Sequence, residues 1–354
     1  MMNVKNKSMD LFVRNYKKMV CIILCVCISL GFCKVQIEAS TTETEKLYPY
    51  VDSKTKKAGF VNQKGKVVIK AAYDSVDDFS EGLAIVYNNN KYGYIDLKGR
   101  AVTKCQYASA MAFSDGLACV ATKYDQNTGN GTYGYIDKNG KLVIKAKYQL
   151  ASSFSDALAC VCINGKYGYI DKKGTMVIKP SFEMAYDFAD GYARVIKNGR
   201  DCFINKTGKI VLKGTDDISY GNYFSEGKAL ICKDSKWGFI NKKGKIVVKP
   251  TFYGLNEFHE GLAGFMSEEN YKCGFIGKDG KVKIKAVYDE ARDFCEGLAC
   301  VSKDGKYGFI DKNGNLIIDF IYDVASDYKN GLACVWQGDK CYYLDKKGKV
   351  TISI

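Results

Sequence analysis

Histidine is almost missing from this chain: His259 is the only one in 354 residues. Ser/His/Asp and Cys/His catalysis and histidine-based zinc sites therefore have one imidazole to draw on, set between Phe258 and Glu260. Cysteines never stand at the CxxC spacing of a metal site, which removes the thiolate alternative. Proline occurs three times and tryptophan twice, so neither proline-rich linkers nor a tryptophan-rich surface is available. No segment beyond the N-terminal region carries a sustained helical period, which excludes a helical bundle or solenoid. The longest apolar run, Met19 to Cys33, has 15 residues, short of the roughly 20 that cross a bilayer as a helix.

What fills the chain is repetition. Lys91-Tyr92-Gly93-Tyr94-Ile95-Asp96 returns as Lys166-Tyr167-Gly168-Tyr169-Ile170-Asp171, Lys236-Trp237-Gly238-Phe239-Ile240-Asn241 and Lys306-Tyr307-Gly308-Phe309-Ile310-Asp311. The glycine register runs Gly59, Gly93, Gly134, Gly168, Cys202, Gly238, Gly274, Gly308 and Tyr342, with spacings of 34 to 41 residues. A second register keeps step with it: Phe79, Phe113, Phe154, Phe188, Phe224, Phe258, Phe294 and Tyr328 each stand three residues before a glycine or, once, Ala157. The longest interval contains Thr122 to Gly131, a polar stretch that reads as an extended surface loop. A fixed period of this size marks a stacked repeat, in which no unit buries a core alone.

Inside a unit the period is two. Tyr-Gly-Tyr-Ile-Asp, a Gly-containing turn and Lys-Leu-Val-Ile-Lys make a hairpin, and Leu-Ala-x-Val precedes it through a turn such as Asn164-Gly165. The expected fold is all-β, about eight three-stranded antiparallel meanders joined by Tyr-Asp-x-Ala-x-x-Phe-Ser-Glu-Gly crossovers. An open superhelical stack with incomplete capping units is favoured, and a closed β-propeller is the alternative. Pro180 and Pro250 are placed just after the second hairpin strand, where no ladder donor is lost.

Residues 1–39 order basic residues, an apolar run and a small residue in the manner of a secretory signal peptide. Residues 40–50 read as a short linker and 51–354 as the repeat array. Export and release, or retention at the cell surface, is expected, with an uncleaved N-terminal anchor as the other outcome. Beyond residue 39 remain 47 basic and 37 acidic residues, a charge of +10. Such a surface suits an anionic envelope polymer or a protein rather than nucleic acid, although solvated turns and guarded strand edges account for most of the lysines. No membrane span is expected once the signal is removed.

Eleven cysteines follow the signal; Cys119, Cys160, Cys300 and Cys334 share a position held elsewhere by Ile85 and Leu230. That exchange marks small buried hydrophobes, kept as thiols. The recurrent acids Asp96, Asp137, Asp171, Asp311 and Asp345, and Glu81, Glu226, Glu260 and Glu296, are placed by turns rather than by catalysis. His259 occupies a position of Ser80, Ser114 and Ser155 and reads as a turn substitution. The fifth unit departs most, with Arg194, Asp201 and Cys202 at otherwise regular positions, which reads as drift in one member of a long array. No catalytic residue, metal ligand or cofactor site is singled out, and an enzyme is not expected. The one functional lead is the aromatic ladder Tyr92, Tyr133, Tyr167, Trp237 and Tyr307: core if it faces the stack, a ligand platform if it faces solvent.

The unit Lys-Trp/Tyr-Gly-Phe/Tyr-Ile-Asp/Asn-Lys-x-Gly-Lys, followed by Phe-Ser-Glu-Gly-Leu-Ala, resembles the WG (KWG) repeat family of bacteria from about Val51 onward, with Trp237-Gly238 carrying the dipeptide itself. That resemblance implies an exported interaction module without a reaction of its own. The expected function is an extracellular or cell-surface binding module for a protein or envelope component, with a wall-glycan binder as the alternative.

Overall fold

The computed structural model describes residues 46–353 except 126, 129, 216 and 217. The expected signal segment, 1–39, lies outside the described residues. Among the described residues every regular element is a β-strand. The hairpins form where local chemistry directs them. Asn164 and Gly165 both take positive φ, 51° and 71°, matching the twist of a two-residue hairpin turn. At the turn that ends the motif strand of the second sheet, the Asp96 carboxylate accepts the backbone N–H groups of Lys98 (3.0 Å) and Arg100 (2.9 Å).

Nine sheets follow one another, each with its strands in chain order. The first, 47–73, has three strands; the others, 75–107, 109–148, 150–182, 184–213, 219–252, 254–288, 290–322 and 324–353, have four. The strand not expected is the first of each four, often only two residues, as in Ser75–Val76, within the segment read as a crossover. The last strand of each sheet leaves residues such as Val143 and Ile246 exposed and forms the rim; the short strand lies at the opposite edge, toward the axis.

The first and last sheets meet. Tyr48 and Tyr343 have ring centroids 5.3 Å apart. Tyr48 Oη donates to the Asn330 carbonyl at 2.9 Å, and Tyr343 Oη to that of Pro49 at 2.8 Å. Val61, Leu332 and Ile352 complete a buried cluster around them, and Lys329 pairs with Asp78 at 2.9 Å. The ring is closed, so the array is a nine-bladed β-propeller. The open stack with capping units is thereby corrected: the end faces are apolar, and separating them would expose the two buried aromatics Tyr48 and Tyr343. Of the segment read as a linker, 40–50, residues 40–45 lie outside the described residues, and Leu47–Val51 is a strand that pairs with Ala58–Asn62.

The two sequence registers meet across each joint between blades. The second aromatic of one blade packs on the phenylalanine of the next: Tyr94 on Phe113 at 5.2 Å, Tyr169 on Phe188 at 4.8 Å, Phe239 on Phe258 at 4.5 Å and Phe275 on Phe294 at 4.8 Å. Tyr94, Tyr135 and Tyr169 also donate to main-chain carbonyls of Met111, Ser152 and Tyr186 in the following blade. Each such pair contributes about 0.5–1.5 kcal/mol beyond its buried area.

The motif glycine is explained by the rim strand. A Cβ on Gly168 would lie 2.4 Å from the Ile178 carbonyl oxygen and 2.7 Å from the Pro180 nitrogen, and Gly238 meets Val248 and Pro250 in the same way. There the rim strand bulges onto the glycine: Tyr167 pairs with Phe182, but Tyr169 already pairs with Ile178. Where the glycine is replaced, the bulge is absent. Cys202 and Phe203 pair in step with Lys213 and Leu212, as do Tyr342 and Tyr343 with Ser353 and Ile352. Pro180 and Pro250 therefore sit within the strands Met176–Phe182 and Ile246–Phe252, at the bulge, rather than after them.

Candidate functional site

Alternating strand directions sort the loops onto two faces. One carries the Phe-Ser-Glu-Gly segments and the Asp-x-x-Gly turns; the other carries the Asn-Gly-type turns and the junctions from rim strand to the next inner strand. The aromatic ladder lies near the second, or turn, face. Tyr133 is buried at 5% exposure. Tyr92, Tyr167, Trp237 and Tyr307 are half-buried and pack against the core clusters of their joints. Their neighbours are local: Tyr92 pairs with Tyr107 and meets the Tyr87 ring at 4.8 Å, Trp237 pairs with Phe252, and Tyr307 donates to Glu290 at 2.7 Å. The ladder is thus a set of joint-packing residues, all but Tyr133 with one edge in solvent, and its members are distributed around the ring.

Two places on the turn face offer aromatics outward. A cleft of about 240 Å³ is lined by Tyr87, Asn90, Tyr92, Ser109 and Tyr124, the last at the base of the extended loop. Near Trp237, Tyr253 and Tyr271 are 45% and 62% exposed. Their rings meet edge-on at 5.8 Å and 85°. Tyr253 follows Phe252, the strand partner of Trp237, and Lys236 Nζ stands 5.6 Å above its ring. Tyr271 has φ of 56°, a backbone region unfavourable for a bulky side chain.

The ring axis holds a second constellation. The residue just before each register phenylalanine varies from blade to blade, and at five blades it is acidic: Asp78, Asp187, Glu257, Asp293 and Asp327. Burial raises the pKa of Asp187, Glu257, Asp293 and Asp327 above the ordinary carboxylate range. His259 Nε2 lies 3.3 Å from Asp293 Oδ2, and Asn256 donates to Asp293 Oδ1 at 3.4 Å. Arg292 donates to the Ala325 carbonyl at 2.8 Å, and Asp327 Oδ1 is buried without a hydrogen bond. Charges act across blades here: Asp187 of the fifth blade is felt by the Tyr135 hydroxyl of the third. The arrangement holds desolvated carboxylates beside the Arg292 guanidinium and the His259 imidazole and suits charge recognition. No group of three or more metal-ligating side chains is arranged for an ion among the described residues.

A family model described as WG containing repeat matches eight consecutive segments: 59–92, 92–123, 133–167, 167–200, 203–237, 237–271, 274–307 and 307–341. The chain belongs to this family. Each sequence repeat takes the last two strands of one blade and the first two of the next, so eight WG repeats span nine blades. No curated protein matches the chain by sequence. Among solved structures, a eukaryotic initiation factor aligns with a TM-score of 0.64 at 11% identity, over 88% of this chain and 96% of that one. Hsv2p of Kluyveromyces lactis aligns at 0.39 and 11% identity over 54% and 72% of the two chains. The dihydro-heme d1 dehydrogenase NirN in complex with DHE aligns at 0.43 and 14% identity over 75% and 71%. At these identities the first likeness concerns the fold alone.

In the WG-repeat propeller the copied acids prove to be more than turn residues. Glu81, Asp115, Asp156, Asp190, Glu226, Glu260 and Glu296 each accept the main-chain N–H of Gly116, Ala157, Gly191, Gly227, Gly261, Gly297 and Gly331 in the next blade, at 2.7–3.1 Å. Lysines of the next blade's turn approach the same carboxylates, as Lys278, Lys312 and Lys346 do at 2.9, 2.9 and 3.2 Å. The fifth blade, where the sequence departs most from the repeat, is compensated rather than eroded. Arg194, largely buried, pairs with Asp201 at 2.8 Å and stacks 4.8 Å over Tyr186. Sequence reasoning passed over the axial acids and assigned His259 to a turn; the signal was the variable residue before an otherwise fixed phenylalanine. Cys119, Cys160 and Cys300 are buried as expected of small hydrophobes.

Proposed function

We propose that this WG-repeat propeller is an exported, non-catalytic interaction module that engages an envelope or extracellular protein through the sector of its turn face around Tyr253, Tyr271 and Trp237. The observation that carries the reading is Tyr253 and Tyr271 themselves: two mutually packed, exposed tyrosines, one in a strained backbone conformation, beside Lys236. Aromatic side chains that stand in solvent without a packing role are characteristic of interface anchors. Export rests on the order of charge, apolar run and small residue in 1–39, and the absence of catalysis on the copied nature of nearly every acid and the single histidine.

A second reading, a wall glycan in the cleft at Tyr87, Asn90, Tyr92 and Tyr124, is favoured by the side-by-side tyrosines and the polar rim of that cleft. Pull-down on purified envelope separates the two. Replacing Tyr253 and Tyr271 together by serine is expected to lower capture at least tenfold while leaving the melting temperature nearly unchanged. Loss of capture with Tyr124→Ala instead, together with elution by free sugar, selects the glycan reading. Retention of full capture by both variants refutes the turn face as the contact surface.

A further inference from the structure

Two thiols face each other on the sheet that closes the ring. Cys334 lies in Leu332–Gln337 and Cys341 in Lys340–Asp345, adjacent antiparallel strands of the ninth blade. Cys334 pairs with Tyr343 and Trp336 with Cys341, so the cysteines are diagonal neighbours on one face of the sheet. Their sulfur atoms are 3.3 Å apart. A disulfide measures about 2.05 Å, so bond formation needs a closure of roughly 1.2 Å.

The same diagonal brings side chains together elsewhere in the ring. In the fifth blade its two positions are Arg194 and Asp201, which form the ion pair described above. In the third, fourth and eighth blades, cysteine at the first position faces a ladder tyrosine at the second: Cys119 with Tyr133, Cys160 with Tyr167, and Cys300 with Tyr307. In the seventh the pair is Gly264 and Cys273. The ninth blade alone has cysteine at both positions. This face is also the seam, because Cys334 packs against the cluster of Tyr48, Val61, Leu332, Tyr343 and Ile352 that joins the last blade to the first.

We propose that Cys334 and Cys341 are a redox site, closing to a disulfide that ties the two central strands of the ninth blade together beside the ring seam when the protein meets a small-molecule disulfide oxidant. The half-exposed Cys334, as thiolate, attacks one sulfur of the oxidant and releases its other half as a thiol. Cys341, as thiolate, then displaces the remaining half. The protein loses two electrons and two protons and gains one S–S bond; the oxidant is reduced to two thiols. Burial pushes the Cys119 and Cys300 thiols up to about 12 and so keeps them protonated; Cys334 and Cys341 are favoured by the 3.3 Å between their sulfur atoms.

The test uses the whole protein treated with oxidised glutathione, alkylated and digested with trypsin. Cleavage after Lys329, Lys340 and Lys346 puts the two cysteines in separate peptides, 330–340 and 341–346, so a bond between them is read directly as a linked mass. The linked pair is expected as the first and dominant disulfide, with a melting temperature a few degrees above that of the reduced protein. Cys341→Ser is expected to lose both the linkage and the oxidation-dependent rise, while its reduced form melts within a degree or two of reduced wild type. Glutathione adducts without the 330–340 to 341–346 link, or a link formed equally with other cysteines, overturns the proposal.

Discussion

Gly168→Ala puts the proposed origin of the repeat signature under direct stress. The added methyl would meet main-chain atoms of the bulged rim strand, 2.4 Å from the Ile178 oxygen and 2.7 Å from the Pro180 nitrogen. No side-chain rotation relieves that contact; the rim strand has to lift. Overpacking of this kind costs about 1–3 kcal/mol, and the disturbed ladder loses about 1 kcal/mol for one hydrogen bond. Reduced freedom of the unfolded chain returns about 0.4–1 kcal/mol. The net expectation is a loss of about 2 kcal/mol. Cys202→Ala supplies the matched control, since Cys202 stands at the same register position in a blade without the bulge. It removes one small buried sulfur and is expected to cost about 1 kcal/mol or less.

Thermal and denaturant midpoints should be compared side by side, because a ring of nine blades need not unfold in one step and absolute free energies are then ill-defined. Gly168→Ala is expected to melt about two degrees or more below Cys202→Ala. If the two variants shift equally, or if Gly168→Ala melts with the wild type, the glycine is not there to admit the rim strand and the account of the bulge is wrong.

The carboxylate links between blades predict that Glu260→Gln, which keeps an acceptor for Gly297 but loses its charge toward Lys312, costs about 0.5–1 kcal/mol. Because this pair is partly exposed, the difference from wild type should shrink in about 1 M salt, where screening is nearly complete; a deficit independent of salt points to packing instead. The axial acids predict a pH effect of definite sign. Burial raises the folded-state pKa of Asp187 above its ordinary 3.8, so its contribution to stability is complete below that value and is lost as pH rises through the raised one. Asp187→Asn is therefore expected to melt above wild type at neutral pH, with the gap closing as pH falls toward 3.8. Surface acids such as Asp52 and Asp74, held low by hydrogen bonds from Thr55 and Lys57, act in the opposite direction but cancel in the comparison. A gap that stays constant with pH refutes the desolvation argument.

The hairpins were legible in the sequence because everything that makes them is local: alternation in Lys141–Lys145, an aspartate that caps its own turn at Asp96, and paired positive φ at Asn164-Gly165. The inner strand was not, since two residues such as Ser75 and Val76 carry no period. Closure was hidden for a different reason. Its bonds join Tyr48 to Asn330 and Tyr343 to Pro49, pairs 282 and 294 positions apart, and Tyr48 and Pro49 stand outside the motif, in a segment that composition assigned to a linker. The ladder was ambiguous because Tyr92 and Tyr94 share one face of their strand, and only the stacked neighbour decides that Tyr94 is buried while Tyr92 keeps an edge in water. The carboxylate links were visible as a repeated Glu before glycine, but their partners are N–H groups of the next copy, which no single repeat contains.

Copied and singular residues thus divide the work of this molecule. The glycine, the second aromatic, the register phenylalanine and the acid before the second glycine recur because every blade must join the next in the same way, and their side chains or main-chain contacts are consumed in those joints. A partner cannot distinguish one blade from another through them. Discrimination has to come from positions where the copies disagree: Tyr253 in place of the Asp74 or Asp323 that accepts a turn N–H elsewhere, Tyr271 in an irregular turn, the loop after Tyr124, and the alternation of acid, serine, alanine and tyrosine along the axis. Tyr253 and Tyr271 lie in one sector, the Tyr87–Tyr124 cleft in another, and the acids with His259 and Arg292 gather chiefly at the seventh to ninth blades. The ninefold scaffold therefore presents an asymmetric surface, and on the proposed reading a titration with the captured partner is expected to saturate at one per ring; several equivalent sites per ring would favour a ladder-based mode of binding instead.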